Sequence, residues 1–151
     1  MGAWDLWNHA IIPSLLSNCG TWTEINKTTV NKLEDLQNLF VRRMLRVPGS
    51  TPRVALRAEA GMLSMKHRIW AEKVALAAAI RRMPETSLSR QVMDEQMHHG
   101  WPGLAKEVII ICDELMIPNV LDDDVPKKII KEALIFHNAN EIKKEMSTKK
   151  S

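Results

Sequence analysis

The feature that most constrains the fold is a helix break at residues 48–52, inside an arginine-rich stretch. Pro48 and Gly49 both disfavour a continuous helix. Thr51 and Pro52 favour a new one. A threonine hydroxyl can accept hydrogen bonds from the first free N–H groups of a helix, and the φ of proline is already near the helical value. The sequence therefore predicts Thr51 as an N-cap and two helices that meet at a corner.

Arginines lie on both sides of this predicted corner. Before it, Arg46 follows Arg42 by four residues and Arg43 by three. After it, Arg53 and Arg57 are four residues apart. Residues at these spacings share a helix face, so each helix is expected to present its arginines on one side. Such a face can bind phosphate or simply be solvated, and the spacing alone does not separate the two.

The charge of the chain is unevenly distributed. Residues 41–90 contain all nine arginines and two lysines against three acidic residues, although the net charge of the whole chain is only +3. Both flanking regions contain more acidic than basic residues. Because the planar guanidinium group matches phosphate and carboxylate, this asymmetry suits a polyanion or an acidic partner.

The composition favours an all-α fold. Strands usually draw on aromatic and β-branched residues, but the chain has five Trp, two Phe, no Tyr and few β-branched runs. Apolar residues recur at helical spacing, and serines, glycines and prolines mark helix ends. We predict a compact single domain of six or seven helices, with a helix over Met65–Met83 at the centre of the core. The expected N-caps are Ser64 and Ser87, and the expected helix ends are Gly20, Gly61 and Gly100.

Three further helices have predicted apolar faces. In the first, Pro13 either kinks the helix or starts a second one. In the last, Asp124 is expected at the start, where a negative charge is favourable, and the tail 147–151 is expected to be disordered. The first helix is expected to bury Trp4, Trp7, Ile11 and Leu15. The long helix before the corner is expected to bury Val30, Leu33, Leu36, Phe40, Met44 and Val47. The last helix, in a C-terminal extension over 118–146, is expected to bury Ile129, Ile130, Ala133 and Phe136.

The sequence offers no visible catalytic centre and no cofactor motif. It contains no nucleotide-binding loop, paired-carboxylate motif or serine elbow. His67 has no partner within sequence reach and is expected to be a surface or capped histidine. His98 and His99 would point about 100° apart on a helix, and the side chains of residues 122–124 diverge in the same way, so neither group predicts a metal site.

The cysteine content and the length of the apolar runs indicate where in the cell the protein is expected. Cys19 and Cys112 are too few for a disulfide framework and are expected to be buried thiols in a reducing environment. No apolar run is long enough for a membrane span, and the N-terminus lacks the features of a signal peptide. We expect an intracellular protein, cytoplasmic or nuclear, without membrane association.

Three stretches of the sequence resemble one protein family. They are IIPSLLSNCGTW at residues 11–22, LEDLQNLFVRRMLRVPGSTPRVALRAEAGMLSMKHRIWAEKV at 33–74, and HGWPGLAKEV at 99–108. They resemble the region that follows the catalytic palm in the reverse transcriptases of non-LTR (LINE-like) retrotransposons. The resemblance covers roughly residues 5–117, and its most specific part is residues 48–61.

The resemblance implies a thumb-like helical region over residues 1–117. In the parent polymerase this region would hold the template–primer duplex by its backbone. Polymerisation in this family requires metal-binding aspartates in the palm, and this chain lacks their motif. We therefore do not expect an enzyme.

Resemblance and charge together predict a non-catalytic, sequence-independent nucleic-acid-binding fragment of an RNA-directed DNA polymerase. Its expected partners are RNA or DNA, duplex or single-stranded, held through phosphates, and also a missing palm domain or a second copy of the chain. The predicted phosphate-binding residues are Arg42, Arg43, Arg46, Thr51, Arg53, Arg57, Lys66 and Arg68. The alternatives are a helical protein-interaction module and a decayed fragment without function.

Overall fold

Helices make up all the regular structure in residues 2–17 and 27–149, which are the residues that the structure, a computed structural model, describes. The N-terminal segment consists of α1 (Ala3–Leu6), a π-helical turn (Trp7–Ile11) and α2 (Ile12–Leu15). The longer helices are α3 (Lys27–Leu45), α4 (Arg53–Ala60), α5 (Met65–Arg81), α6 (Leu88–His99), α7 (Leu104–Glu114) and α8 (Lys127–Lys149). With the N-terminal segment counted as one unit, the described ranges hold seven helical segments, which confirms the predicted all-α fold.

The predicted start and stop signals define the middle helices. Ser64 Oγ and Ser87 Oγ each accept a hydrogen bond from the backbone N–H three residues further on, so both are N-caps. Gly61 and Gly100 end α4 and α6 with φ values of 62° and 65°, a conformation that glycine adopts without strain. These four predictions are confirmed.

At Pro13 the hydrogen bonding of the N-terminal segment changes, while the backbone stays helical from Ala3 to Leu15. Proline has no N–H, so the α-helical hydrogen bond back to residue 9 cannot form. The chain widens before it into the π-helical turn, where the N–H of Ile12 donates to the carbonyl of Trp7, five residues earlier. The helix α2 then begins at Ile12, with Pro13 in its first turn.

Two hydrophobic clusters share α5, which confirms this helix as the centre of the core. Its N-terminal half contributes Met65 and Ile69 to a cluster with the N-terminal segment and α3, where Trp7 stacks on Phe40 with 4.4 Å between the ring centroids. Its C-terminal half contributes to a cluster with α6, α7, α8 and the segment that precedes α8. The buried members of this second cluster are Val74, Ala77, Met93, Ala105, Val108, Ile111, Cys112, Leu115, Val120, Leu121, Val125 and Leu134.

The buried face of α3 differs from the prediction. Leu36 is 40% exposed, whereas the fully buried positions are Glu34, Gln37, Asn38 and Val41. Two of the three polar residues, Glu34 and Gln37, form hydrogen bonds with backbone groups at or just before the start of α5. Gln37 Nε2, for example, donates to the carbonyl of Leu63 at 3.1 Å.

The last helix also differs from the prediction at both ends and in its buried face. It begins at Lys127, and Asp124 instead forms an ion pair with Arg82 at 3.1 Å. Phe136 is 68% exposed, and the buried residues of α8 include Leu134 and Asn138. Residues 147–149 continue the helix rather than forming a disordered tail. Because α8 packs against α4 and α5, the extension 118–146 is in contact with the region 1–117.

Several expectations fall outside the described residues, namely Cys19, Gly20 as a helix end, and residues 150–151 of the tail. The long helix α3 begins at Lys27. Among the described residues, no helix combines the length and the apolar character that crossing a membrane requires.

Candidate functional site

The predicted arginine corner forms, but α3 ends before Arg46. The helix stops at Leu45, and Arg46 has a left-handed backbone with φ of 54°. The N–H of Val47 then donates to the carbonyl of Arg42 at 3.2 Å, which is a regular way to close a helix C-terminus. The prediction that Arg46 shares a helix face with the preceding arginines is therefore wrong. Its side chain lies in the turn itself.

Thr51 is not the N-cap of α4. The cap position is Pro52, and no side chain caps the helix there. Thr51 instead belongs to the preceding turn, where its N–H donates to the carbonyl of Pro48 at 3.1 Å. Arg42 closes the same turn, because its Nη1 donates to the carbonyls of Pro48 at 3.3 Å and Gly49 at 2.6 Å. Arg42 thus holds the corner together.

Arg57 is bound within the fold. Its Nη2 lies 3.6 Å from Glu34 Oε2 on α3, and its Nη1 lies 3.7 Å from Glu145 Oε2 on α8. Arg57 therefore joins α4 to two other helices. Glu34 is itself buried, and its Oε1 accepts the backbone N–H of Lys66 in the first turn of α5 at 3.2 Å.

Lys66 and Arg68 also have internal partners. Lys66 Nζ lies 2.6 Å from Glu141 Oε1 and 4.9 Å from the centroid of the Trp70 ring. Arg68 donates through Nε to the carbonyl of Leu63 and through Nη2 to Asn8 Oδ1, both at 3.3 Å. Both side chains serve the packing of α5 in this structure.

Three predicted residues remain directed to solvent at the corner. Arg43 and Arg46 are exposed and form no ion pair or side-chain hydrogen bond with any described residue. Arg53 is paired with Asp35 at 2.6 Å, but both side chains are more than half exposed. An exposed pair of this kind contributes little stability, so a phosphate can replace the carboxylate. Of the predicted set, only Arg43, Arg46 and Arg53 are available without rearrangement of the fold.

A second polar cluster was missed by sequence reasoning. His67 is completely buried, so of the two expectations, a surface or a capped histidine, the surface one is wrong. Its Nδ1 lies 2.5 Å from Ser64 Oγ, and its Nε2 lies 2.8 Å from Nδ1 of His137 on α8. His137 Nε2 continues the chain to Glu114 Oε1 at 3.2 Å, and Glu141 Oε1 lies 3.7 Å from His137 Nδ1. These five residues connect α5, α7 and α8 through side chains alone.

Burial favours a neutral His67 in this cluster. Burial lowers the pKa of His67 to about 4, and the attraction of Glu141 does not offset it. Burial alone would raise the pKa of Glu141, but the hydrogen bond and the charge of Lys66 bring it below its ordinary value. At neutral pH the cluster therefore holds a neutral imidazole beside a carboxylate.

The cluster does not form a nucleophilic centre. Ser64 contacts a histidine, as a catalytic serine does, but both residues are buried and Ser64 is already the N-cap of α5. No substrate can reach the hydroxyl without unfolding the start of the helix. The other candidates for chemistry do not converge either. His99 binds Glu95 at 3.1 Å and stacks on Trp101, and Asp124 pairs with Arg82.

A cavity of about 420 Å³ lies next to this cluster. Its walls are mainly apolar, and two of its lysines have carboxylate partners: Lys66 pairs with Glu141, and Lys73 pairs with Glu107 at 2.7 Å. The lining residues are Lys27, Val30, Lys66, Ile69, Trp70, Lys73, Glu107, Ile110 and Ile111. The charges of Lys66 and Lys73 are therefore balanced by carboxylates at this cavity.

No protein-family model, curated protein or solved structure matches the chain. The resemblance to the post-palm region of LINE-like reverse transcriptases therefore rests on the sequence stretches alone.

Proposed function

We propose that the protein is a non-catalytic module that binds the phosphate backbone of RNA or DNA without reading base sequence, and that it derives from the thumb region of a retrotransposon RNA-directed DNA polymerase. The observation that carries the proposal is the exposure of Arg43, Arg46 and Arg53 around one corner, within the segment that contains all nine arginines. Guanidinium groups directed to solvent can bind phosphates without desolvating a buried group.

The geometry reduces the expected number of phosphate contacts. Arg42, Arg57, Lys66 and Arg68 have internal partners, so three arginines remain in place of the larger predicted set. Three contacts should give a slope of log K against log salt of about −2 on a single strand and about −2.7 on B-form DNA. Affinity should depend little on sequence.

The test is a titration of fluorescent single-stranded and duplex oligonucleotides at several salt concentrations, starting near 50 mM. We expect Arg43→Gln combined with Arg46→Gln to weaken binding to every sequence alike. The slope should become shallower by about 1.4 on a single strand and 1.8 on a duplex, because two phosphate contacts are removed. The fold should be retained, because both side chains are exposed.

The matched control removes the same charge elsewhere. Lys128 and Lys131 are exposed on α8, and changing both to Gln should leave the slope and the affinity nearly unchanged. The proposal is overturned if the parent binds no nucleic acid at low salt. It is also overturned if the arginine pair and the lysine pair weaken binding equally, because the effect would then reflect net charge alone.

A helical protein-interaction module is the second candidate, and a specific observation favours it. Leu36 and Leu39 are both exposed on α3, three residues apart and on the same side of the helix as Arg43. An apolar and basic stripe suits an acidic amphipathic partner or a second copy of the chain. Self-association that Leu39→Glu abolishes, in a protein without nucleic-acid affinity, would favour this function.

A further inference from the structure

The histidine cluster brings three metal-ligating side chains together from distant parts of the sequence. His137 and Glu141 are four residues apart on α8 and therefore share a helix face. This face packs against His67 on α5. One potential ligand atom from each of the three residues lies within 4.8 Å of the others.

We propose that His67, His137 and Glu141 form a binding site for a divalent transition metal, with zinc as the best fit, and that Lys66 takes the place of the metal on Glu141 when none is bound. Two imidazoles and one carboxylate are a ligand set that zinc prefers, whereas magnesium and calcium prefer oxygen ligands alone. The fourth position would be open to water or an external ligand, since the Glu141 side chain is partly exposed.

The surrounding residues resemble the outer shell of a metal site. In such sites the second nitrogen of each histidine ligand is held by an oxygen, which fixes the ring and its tautomer. Here Ser64 Oγ lies 2.5 Å from His67 Nδ1, and Glu114 Oε1 lies 3.2 Å from His137 Nε2. The nitrogens that face each other, His67 Nε2 and His137 Nδ1, are the ones left for a metal.

The distances allow a metal with a small adjustment. The two facing nitrogens are 2.8 Å apart. Because the Glu114 carboxylate accepts from His137 Nε2–H, His137 Nδ1 is the acceptor and the hydrogen between the rings is assigned to His67 Nε2. Nitrogen ligands of tetrahedral zinc are about 3.3 Å apart, given bonds of about 2.0–2.1 Å. The rings must therefore separate by about half an ångström. The hydrogen on His67 moves from Nε2 to Nδ1, where Ser64 Oγ can accept it, so both imidazoles stay neutral and no proton leaves the pair.

Lys66 competes with the metal for the same carboxylate oxygen. Its Nζ lies 2.6 Å from Glu141 Oε1, and its side chain packs over Trp70. Changing Lys66 to Met keeps the apolar contact with Trp70 and removes the competing cation. Because the ion pair is partly exposed, we expect zinc to bind about two- to fivefold more tightly to Lys66→Met.

The test uses the full chain, stripped of metal with a chelator, and titrated calorimetrically with Zn²⁺ alone. We expect one zinc per chain. At a free zinc concentration of about a hundred times Kd, the ratio of folded to unfolded protein should rise about a hundredfold, which appears as a higher Tm. Co²⁺ in place of zinc should give the visible absorption of a tetrahedral site, without the near-ultraviolet band that cysteine thiolate ligands produce.

Variants locate the site. His137→Gln and Glu141→Gln affect partly exposed side chains and should fold, as circular dichroism would check, but should lose the zinc-dependent rise in Tm. The matched control is His98→Asn with His99→Asn, which removes the other neighbouring histidine pair and should bind zinc as the parent does.

Three results would overturn the metal site: zinc binding that survives both His137→Gln and Glu141→Gln, zinc binding that is lost in the His98/His99 control, and a thiolate band with Co²⁺. Absence of any zinc binding by the stripped parent would overturn it as well. If Lys66→Met binds zinc no more tightly than the parent, the proposed exchange between lysine and metal is wrong.

Discussion

Changing Arg57 to Gln should lower stability but leave nucleic-acid binding intact. The Arg57 side chain is 23% exposed and faces Glu34, whose side chain is 8% exposed. Without the arginine, the Glu34 carboxylate keeps the N–H of Lys66 but loses its nearest cation. Breaking a fully buried ion pair costs about 3–5 kcal/mol, and an exposed one less than about 1 kcal/mol. Because the separation is 3.6 Å and burial is incomplete, we expect a loss of about 1–3 kcal/mol.

Urea unfolding followed by far-ultraviolet circular dichroism measures this loss. With a slope of about 2 kcal/mol/M, a loss of 2 kcal/mol moves the midpoint by about 1 M. Arg43→Gln is the matched control, because it makes the same change at an exposed position and should alter stability by less than about 0.5 kcal/mol.

The double variant Arg57→Gln with Glu34→Gln separates a lost ion pair from a general packing defect. If the cost of Arg57→Gln comes from an unpaired carboxylate, removing that charge as well should make the two changes non-additive by about 0.5 kcal/mol or more. The reasoning is refuted if Arg57→Gln is as stable as the parent. It is equally refuted if the variant reduces the salt slope of nucleic-acid binding by one contact, since Arg57 would then bind phosphate rather than Glu34.

Two further outcomes follow from burial. Leu56→Ala should lower the free energy of unfolding in urea by about 2–5 kcal/mol, because Leu56 is 2% exposed. Leu39→Ala should lower it by less than about 0.5 kcal/mol, because Leu39 is 46% exposed. Equal losses for the two variants would contradict the packing of α4. In a Cys19→Ser variant, the folded chain should react with iodoacetamide at pH 8 at least about tenfold more slowly than the chain in urea, because burial raises the pKa of Cys112 and hides its thiol. Similar rates in the two conditions would contradict that burial.

Local signals in the sequence were sufficient to predict where the helices of the middle region begin and end. Ser64 and Gly61 act on the backbone within one helical turn, so their effect does not depend on what packs against the helix. The buried faces of α3 and α8 depend on distant partners. Gln37 and Asn138 are buried because they donate to the carbonyls of Leu63 and Met62, and a hydrophobic pattern assigns such residues to the surface.

The candidate sites also combine features that local sequence signals predict with features that depend on distant residues. The corner at residues 46–52 was predictable because Pro48 and Gly49 together disfavour continuation of a helix. The departure of Arg46 from the helix was not predictable. It accompanies the hydrogen bond from the Val47 N–H to the Arg42 carbonyl, which leaves Arg46 in a left-handed turn. The histidine cluster was not predictable either. His67 and His137 lie on separate helices, 70 residues apart in the sequence, so no local pattern brings them together.

The structure also gives a reason, other than a polyanion, for the concentration of arginine in residues 41–90. A guanidinium group can donate to two carbonyls at once, and the last carbonyls of a helix or a tight turn have no partner within the helix. Three of the nine arginines serve in this way, at the corner, the turn before α8 and the end of α5; they are Arg42, Arg81 and Arg90. The phosphate proposal therefore rests on the exposed arginines at the corner and not on the total charge. A measured slope near −2.7 on duplex DNA agrees with three contacts, whereas a slope steeper than about −5 means about six contacts and requires cations beyond Arg43, Arg46 and Arg53.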